Sequence, residues 1–130
     1  MTSAVIWGVM SCFRPDDDVV HAAQGALDQL DGLIVVDDGS GPVADTVLAL
    51  LAGRGATVLR QDANAGIAAA LNRGIARAFA GDADFVVTLD QDSSLPADAV
   101  RMLHDAHTRA SALVPVGAVV PEFFAEVRQA

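Results

Sequence analysis

Residues 86–93, Val86-Val87-Thr88-Leu89-Asp90-Gln91-Asp92-Ser93, form an apolar run that stops abruptly on two carboxylates one residue apart. The run reads as a buried strand. Side chains two apart on an extended chain point the same way, roughly 6–7 Å from each other. At that spacing two bare negative charges repel by about 2–3 kcal/mol at an effective dielectric of ~20. A chain that sets them at the open end of a core strand therefore calls for a cation, or a donor-rich ligand, between them. Hard oxygen donors favour Mg2+ or Mn2+, ions that commonly bring phosphates with them.

Outward from this stretch, short runs rich in Val, Ile and Leu recur at Ala4–Ser11, Leu33–Asp37, Ala56–Gln61 and Val116–Val120, with Phe85–Asp90 as the fourth of five. None alternates with polar residues, as suits strands buried on both faces of a parallel sheet. Helical patterns lie between them. Asp16, Asp17 and Asp18 precede a stripe of Val19, Val20, Ala23, Leu27 and Leu30, with Gly32 as the expected stop. Carboxylates suit a helix start, where the dipole favours them, better than a ligand role. Pro42 suits the first turn of a second helix, to about Ala52. A third is expected from Gly66 to about Ala80, with Ile67, Leu71, Ile75 and Phe79 down one side. Pro96 opens a fourth, with Val100, Leu103 and His107 on one stripe. This order predicts one three-layer α/β/α domain with a mainly parallel sheet. In such sheets ligands collect at the carboxyl ends of the strands, where strand order reverses.

The totals narrow the options. At 130 residues, 52% of them apolar, the chain is expected to form a single domain spanning 1–130 with a full core. Its net charge is −9 and all eight basic residues are Arg, which argues against a nucleic-acid groove or adhesion to anionic lipid. It also makes a divalent ion a natural intermediary for a phosphate ligand. The lone Cys12 sits in an apolar run, fits a reducing compartment, and reads as a packing residue. No signal peptide and no run near the ~20 residues of a membrane span is visible. A cytoplasmic protein is expected, at the inner face of the membrane if a longer protein carries an anchoring segment.

Each polar cluster follows a strand: Ser11-Cys12-Phe13-Arg14-Pro15, Asp37-Asp38-Gly39-Ser40-Gly41, Asp62-Ala63-Asn64-Ala65-Gly66 and Asp90-Gln91-Asp92-Ser93-Ser94. Asp-Gly is a common turn pair, yet Asp38 leaves its strand where a base can lie, and a carboxylate there can accept from the ring N–H of uracil or thymine. Both readings stand. Asn64 is a good N-cap, worth about 1 kcal/mol without any ligand, while Gly66 removes a side chain where a helix start would crowd one. Asn72 and Gly74 are poor helix formers and require a packing or binding reason. Arg73 and Arg77 read as solvated. His21, His104 and His107 lack metal-ligand spacing. Trp7 and Phe85 read as core, and Ser93-Ser94 has no nearby base to make a nucleophile.

Taken together, these clusters resemble the amino-terminal, nucleotide-binding half of a family 2 glycosyltransferase of the GT-A fold. The resemblance runs from about Val5 to Pro121 and rests on four parts in order: Ser11-Cys12-Phe13-Arg14-Pro15, Val35-Val36-Asp37-Asp38-Gly39-Ser40, Asn64-Ala65-Gly66 with Asn72-Arg73-Gly74-Ile75, and Asp90-Gln91-Asp92. The form Leu89-Asp90-Gln91-Asp92-Ser93, followed by Val116-Gly117-Ala118-Val119-Val120-Pro121, is most similar to the rhamnosyltransferase branch. The resemblance implies a dTDP- or UDP-sugar donor, a glycan or lipid-linked acceptor, and inverting transfer assisted by Mg2+ or Mn2+. It implies that Ser11 lines the base and ribose pocket, Asp38 accepts from the pyrimidine N–H, and Asn64 and Gly66 border the nucleoside. Asp90 would face the ribose and the metal shell, and Asp92 would bind the metal. The chain departs from the family in carrying Phe13-Arg14 where Tyr-Asn is frequent. The family's acceptor-activating base lies in a second half, so it is expected beyond Ala130 and no catalytic residue is assigned within 1–130. A truncated, donor-binding part of a longer enzyme is the reading this implies.

Two alternatives belong to other classes. Asp90-Gln91-Asp92-Ser93-Ser94-Leu95 also resembles the nucleophile motif of haloacid-dehalogenase-type phosphohydrolases, where Asp90 would attack phosphorus and Asp92 act as acid and base. That family places the motif on its first strand and uses a Lys, and this chain contains none. The other is a non-catalytic nucleotide-binding module with a decayed site. A Rossmann dehydrogenase is disfavoured because no Gly-x-Gly-x-x-Gly follows the first strand.

Overall fold

The structure, a computed structural model, describes residues 3–121. The described chain divides into two compact units, one ending at Ala97 and one beginning at Asp98. The first contains strands β1 (Ile6–Cys12), β2 (Gly32–Asp37), β3 (Thr57–Arg60) and β4 (Phe85–Asp90), with helices α1 (Asp18–Leu27), α2 (Asp45–Gly53) and α3 (Ile67–Ala80) between them. A short 3-10 turn, Gly41–Ala44, leads into α2 and carries Pro42 near its start.

All strand pairings are parallel and the sheet order is β3-β2-β1-β4. The chain therefore winds outward from β1 to β3, then returns to place β4 on the other side of β1. The period of two along each strand divides the core. Met10, Cys12, Leu33, Val35 and Leu89 face α1 and α2, packing on Val19, Ala22, Ala23, Ala26, Leu48 and Leu51. Val9, Ile34 and Val36 face α3, packing on Ala70 and Ala78. The expected three-layer α/β/α architecture is thus present in this unit.

Small side chains set the closeness of the α3 layer. A methyl group on Gly74 would come within 2.3 Å of Val9 Cγ1 and 3.0 Å of Val36 Cγ2. The helix crosses β1 and β2 at a distance only glycine allows, which supplies the packing reason its poor helix propensity demanded. Trp7 joins the same layer and donates its indole N–H to Asp82 Oδ1 at 2.9 Å, a core role as expected.

The helix starts follow local chemistry. Asp16 accepts from the Asp18 N–H at 3.0 Å, so the aspartate cluster does open α1. That helix stops at Leu27, short of the expected Gly32, and Gly32 instead begins β2 with the Trp7 ring covering it.

The second unit holds α4 (Ala99–Ser111), whose Arg101 pairs with Asp98 and Asp105 at 3.5 Å each. The fifth strand expected at Val116–Val120 does not form: these residues carry no strand pairing, and Val120 is 83% exposed. Pro115 removes a ladder donor and Gly117 weakens an extended run. The Val116 carbonyl instead lies 3.0 Å from His107 Nε2.

Candidate functional site

The winding of the sheet creates the site. Strand order reverses between β1 and β4, and at their carboxyl ends Ser11 and Asp90 are register partners. A crevice at such a switch point is the natural ligand position in an open parallel sheet. A cleft of about 200 Å3 lies there, lined by Ser11, Cys12, Phe13, Asp38, Ile67, Asp90 and Gln91.

Alternation along the strands decides which polar residues reach it. Ser11 shares the parity of Val9, Asp90 that of Val86, and Asp38, one residue beyond β2, that of Ile34 and Val36, all of which face α3. Asp37 has the opposite parity and is fully buried on the other side. Its partners are Arg60 Nε at 3.5 Å, the Ser40 N–H at 3.2 Å, the Ser40 hydroxyl and the Cys12 thiol at 4.0 Å. Arg60, its register neighbour on β3, also binds Asp45 at 2.6 Å and the Gly41 carbonyl at 2.7 Å. Asp37 is thereby a structural anion that shapes the turn after β2.

Asp38, only 5% exposed, fastens the loop that follows β3. Its Oδ1 accepts from the Ala65 N–H at 2.8 Å and from Gln61 Nε2 at 2.9 Å, and its Oδ2 accepts from the Gly66 N–H at 3.0 Å. The Ala65 N–H does most to hold this carboxyl below its ordinary 3.8, with Gln61 and Gly66 adding to it against the opposing effect of burial. With a single described bond, Oδ2 keeps acceptor capacity. Gly39 makes the docking possible: at φ +78, any Cβ would sit 2.4 Å from the Ala63 carbonyl carbon and the Asn64 nitrogen.

The expected N-cap at Asn64 is corrected. Helix α3 begins at Ile67 behind Gly66, which has φ +97 and makes no side-chain cap bond. Asn64 is exposed and lies outside the cleft lining. Gly66 is required by its backbone angle, since a Cβ there would meet open space rather than protein. Arg73 is exposed, as its solvated reading expects, and also donates to the Arg60 carbonyl at 2.9 Å.

The acidic doublet is exposed, and Asp90 lines the cleft while Asp92 lies beyond its lining. The Asp90 carbonyl accepts from the Ser93 N–H at 3.1 Å, which closes a turn around the doublet. Among the described residues no arginine pairs with either carboxylate and no group of three His, Cys, Asp or Glu forms a ready cage. Asp90 at the cleft, with Asp92 exposed two residues on, is a donor set that could take Mg2+ or Mn2+, which are held by one or two carboxylates together with phosphates and water.

Two lining residues had no assigned role in the sequence reading. Gln91 Oε1 accepts from the Phe13 N–H at 2.8 Å and so ties the loop after β4 to that after β1. Ile67, more than half exposed, begins α3 at the cleft. Its place in the apolar stripe of α3 concealed it, and only the position at the first turn signalled otherwise. Cys12 also reaches the cleft, but burial, with the charges of Asp37 and Asp38, pushes its thiol up to about 12 against the opposing Arg60. The packing role expected for it holds.

Comparison with known proteins bears on these features. No curated protein matches the chain. Among solved structures it is similar to S. aureus TarS residues 1–349, with a TM-score of 0.65 and 13% identity over 81% of this chain. TarS 1–349 in complex with UDP gives 0.66 and the same identity and coverage. The chain spans 32% of the TarS chain in each case. At this identity the likeness is one of fold. A family model, Glycosyl transferase family 2, matches residues 9–129, nearly the whole chain, and the chain belongs to that family.

Proposed function

We propose that this chain is the donor-binding part of a hexosyltransferase. It takes a dTDP- or UDP-sugar, with rhamnose as the sugar, and serves inverting transfer to a hydroxyl of a glycan or lipid-linked acceptor. The observation that supports this best is the meeting of Ser11, Asp38 and Asp90 in one cleft at the reversal of strand order. Family membership supports the transferase class, and TarS, of like fold, has been solved with UDP.

In this reading Ser11 and Phe13 flank the nucleoside, and Asp38 accepts from the pyrimidine N–H through its remaining capacity. The loop carrying Asn64 and Gly66 borders the same pocket. Asp90 and Asp92 hold Mg2+ or Mn2+ between them. Such an ion, when bound, neutralises the diphosphate and stabilises it as leaving group. Asp38 is committed to three donors, so we assign the acceptor-activating base to the remainder of a longer enzyme. Donor binding without efficient turnover is expected of residues 1–130 alone, and full transfer by this chain would contradict the assignment.

The test is calorimetry with UDP and dTDP, with and without Mg2+ or Mn2+. Affinity should rise with the ion, and Asp92→Ala should remove that rise. Binding indifferent to the ion would favour a decayed module. Release of phosphate from generic phosphoesters, lost on Asp90→Asn, would favour the phosphohydrolase.

A further inference from the structure

Phe13 lines the cleft, and Arg14 beside it is braced with it. The Phe13 N–H donates to Gln91 Oε1 at 2.8 Å and the Arg14 N–H to Ser40 Oγ at 2.7 Å, so two other loops fix successive peptide groups. Arg14 has φ +47, and among the described residues it alone has a positive φ without being glycine. That region suits glycine or asparagine better than a long side chain, so backbone conformation gives no reason for an arginine. Burial gives none either, because Arg14 is exposed.

Its guanidinium lies 5.2 Å from the centroid of the Phe13 ring, and Phe13 lines the cleft while remaining 41% exposed. The charged residues lining the cleft, Asp38 and Asp90, are both acidic, and the chain as a whole carries −9. A guanidinium stacked on an aromatic ring retains its planar donors for an oxyanion. Arg14 is not itself in the lining, but its seat on a lining ring puts a positive charge one side chain away from a cleft whose own charges are all negative.

We propose that Arg14, seated on Phe13, donates to a phosphate oxygen of the nucleoside diphosphate and so selects the charged ligand over the bare nucleoside. This rests on the donor-binding reading above and adds to it a protein cation acting beside the divalent ion. Arg14 is a specificity residue here, with no part in the transfer step.

Titration calorimetry on the full chain with UDP, dTDP, uridine and thymidine, at low and high ionic strength, tests it. Arg14→Ala should weaken diphosphate binding about tenfold, the scale of one hydrogen bond to a charged group. Nucleoside binding should change less than about twofold, since no charge is lost from that contact. The salt dependence of diphosphate binding should also flatten. Arg14→Lys should restore part of the affinity, as a point charge without the fork. Arg14→Gly should lose the same affinity while its Tm stays at or above the parent's, which separates recognition from folding. Unchanged diphosphate affinity in Arg14→Ala overturns the proposal. So does an equal loss for diphosphate and nucleoside, which would mean that the residue merely positions Phe13. If the parent chain binds neither class of ligand, the donor-binding reading itself fails and this inference falls with it.

Discussion

Asp37 and Asp38 are adjacent and chemically identical, yet an extended chain sends neighbouring side chains to opposite faces. Asp37 goes to the α1 and α2 side and is neutralised by Arg60. Asp38 goes to the α3 side, where it holds the loop after β3 and reaches the cleft. Strand parity alone sends the two carboxylates to opposite faces, but an unbroken apolar run such as residues 33–36 does not say which face carries the cleft; the helices packed on each face do. The loop partners of Asp38 were not legible, since Gln61, Ala65 and Gly66 lie more than twenty positions away and carry no motif for the contact. Asp38→Asn tests the clamp. The amide turns a donor toward N–H groups that need an acceptor, so unfolding free energy at neutral pH should fall by about 1–3 kcal/mol. The sign with pH follows from the lowered folded-state pKa. The contribution of Asp38 is present above its unfolded value of 3.8 and is lost as pH falls through the lower folded value. Urea titrations from neutral to acid pH should give a shallower acid limb for the variant. Parallel limbs would show that the carboxyl titrates alike in both states.

Element boundaries were read from apolar runs, and β4 was expected at the bounds it has. The expected fifth strand fails for a reason the run itself does not carry. An apolar stretch becomes a strand only with a pairing partner, and Val116–Val120 finds a histidine contact in place of one. Gly74 in α3 shows the opposite case, a residue that contradicts helix propensity because packing overrides it. Gly74→Ala sets the two effects against each other. Alanine favours the helix by about 1 kcal/mol. Overpacking against Val9 and Val36, neither of which can swing a branched methyl away freely, costs about 1–3 kcal/mol. Packing should win, so the variant should unfold at lower denaturant with an unchanged m-value. A more stable variant would mean that α3 can lift from the sheet without penalty, and that the layer is looser than its contacts indicate.

Across the whole molecule, composition isolates one titration. The chain contains no Lys and no Tyr, so Cys12 is the side chain whose ordinary pKa falls in the alkaline range below arginine. Its thiol is buried beside Asp37 and raised from 9.0 to about 12 in the folded state. The unfolded chain therefore loses this proton first. Stability linked to Cys12 is fully present below pH 9.0 and declines as pH rises toward 12, because thiolate formation draws the equilibrium to the unfolded state. Burial first, and the charges of Asp37 and Asp38 with it, thus keep the Cys12 thiol protonated and inert. Thiolate ultraviolet absorbance in the native chain should stay flat through pH 9 and rise only as the fold is lost, whereas the denatured chain should titrate near its ordinary value. Cys12→Ala should lower stability at neutral pH through lost packing, yet flatten the alkaline decline. Should the native thiol ionise near 9, Cys12 would be an accessible thiolate at the cleft, and its placement among the core residues between β1 and the Asp37 turn would be wrong.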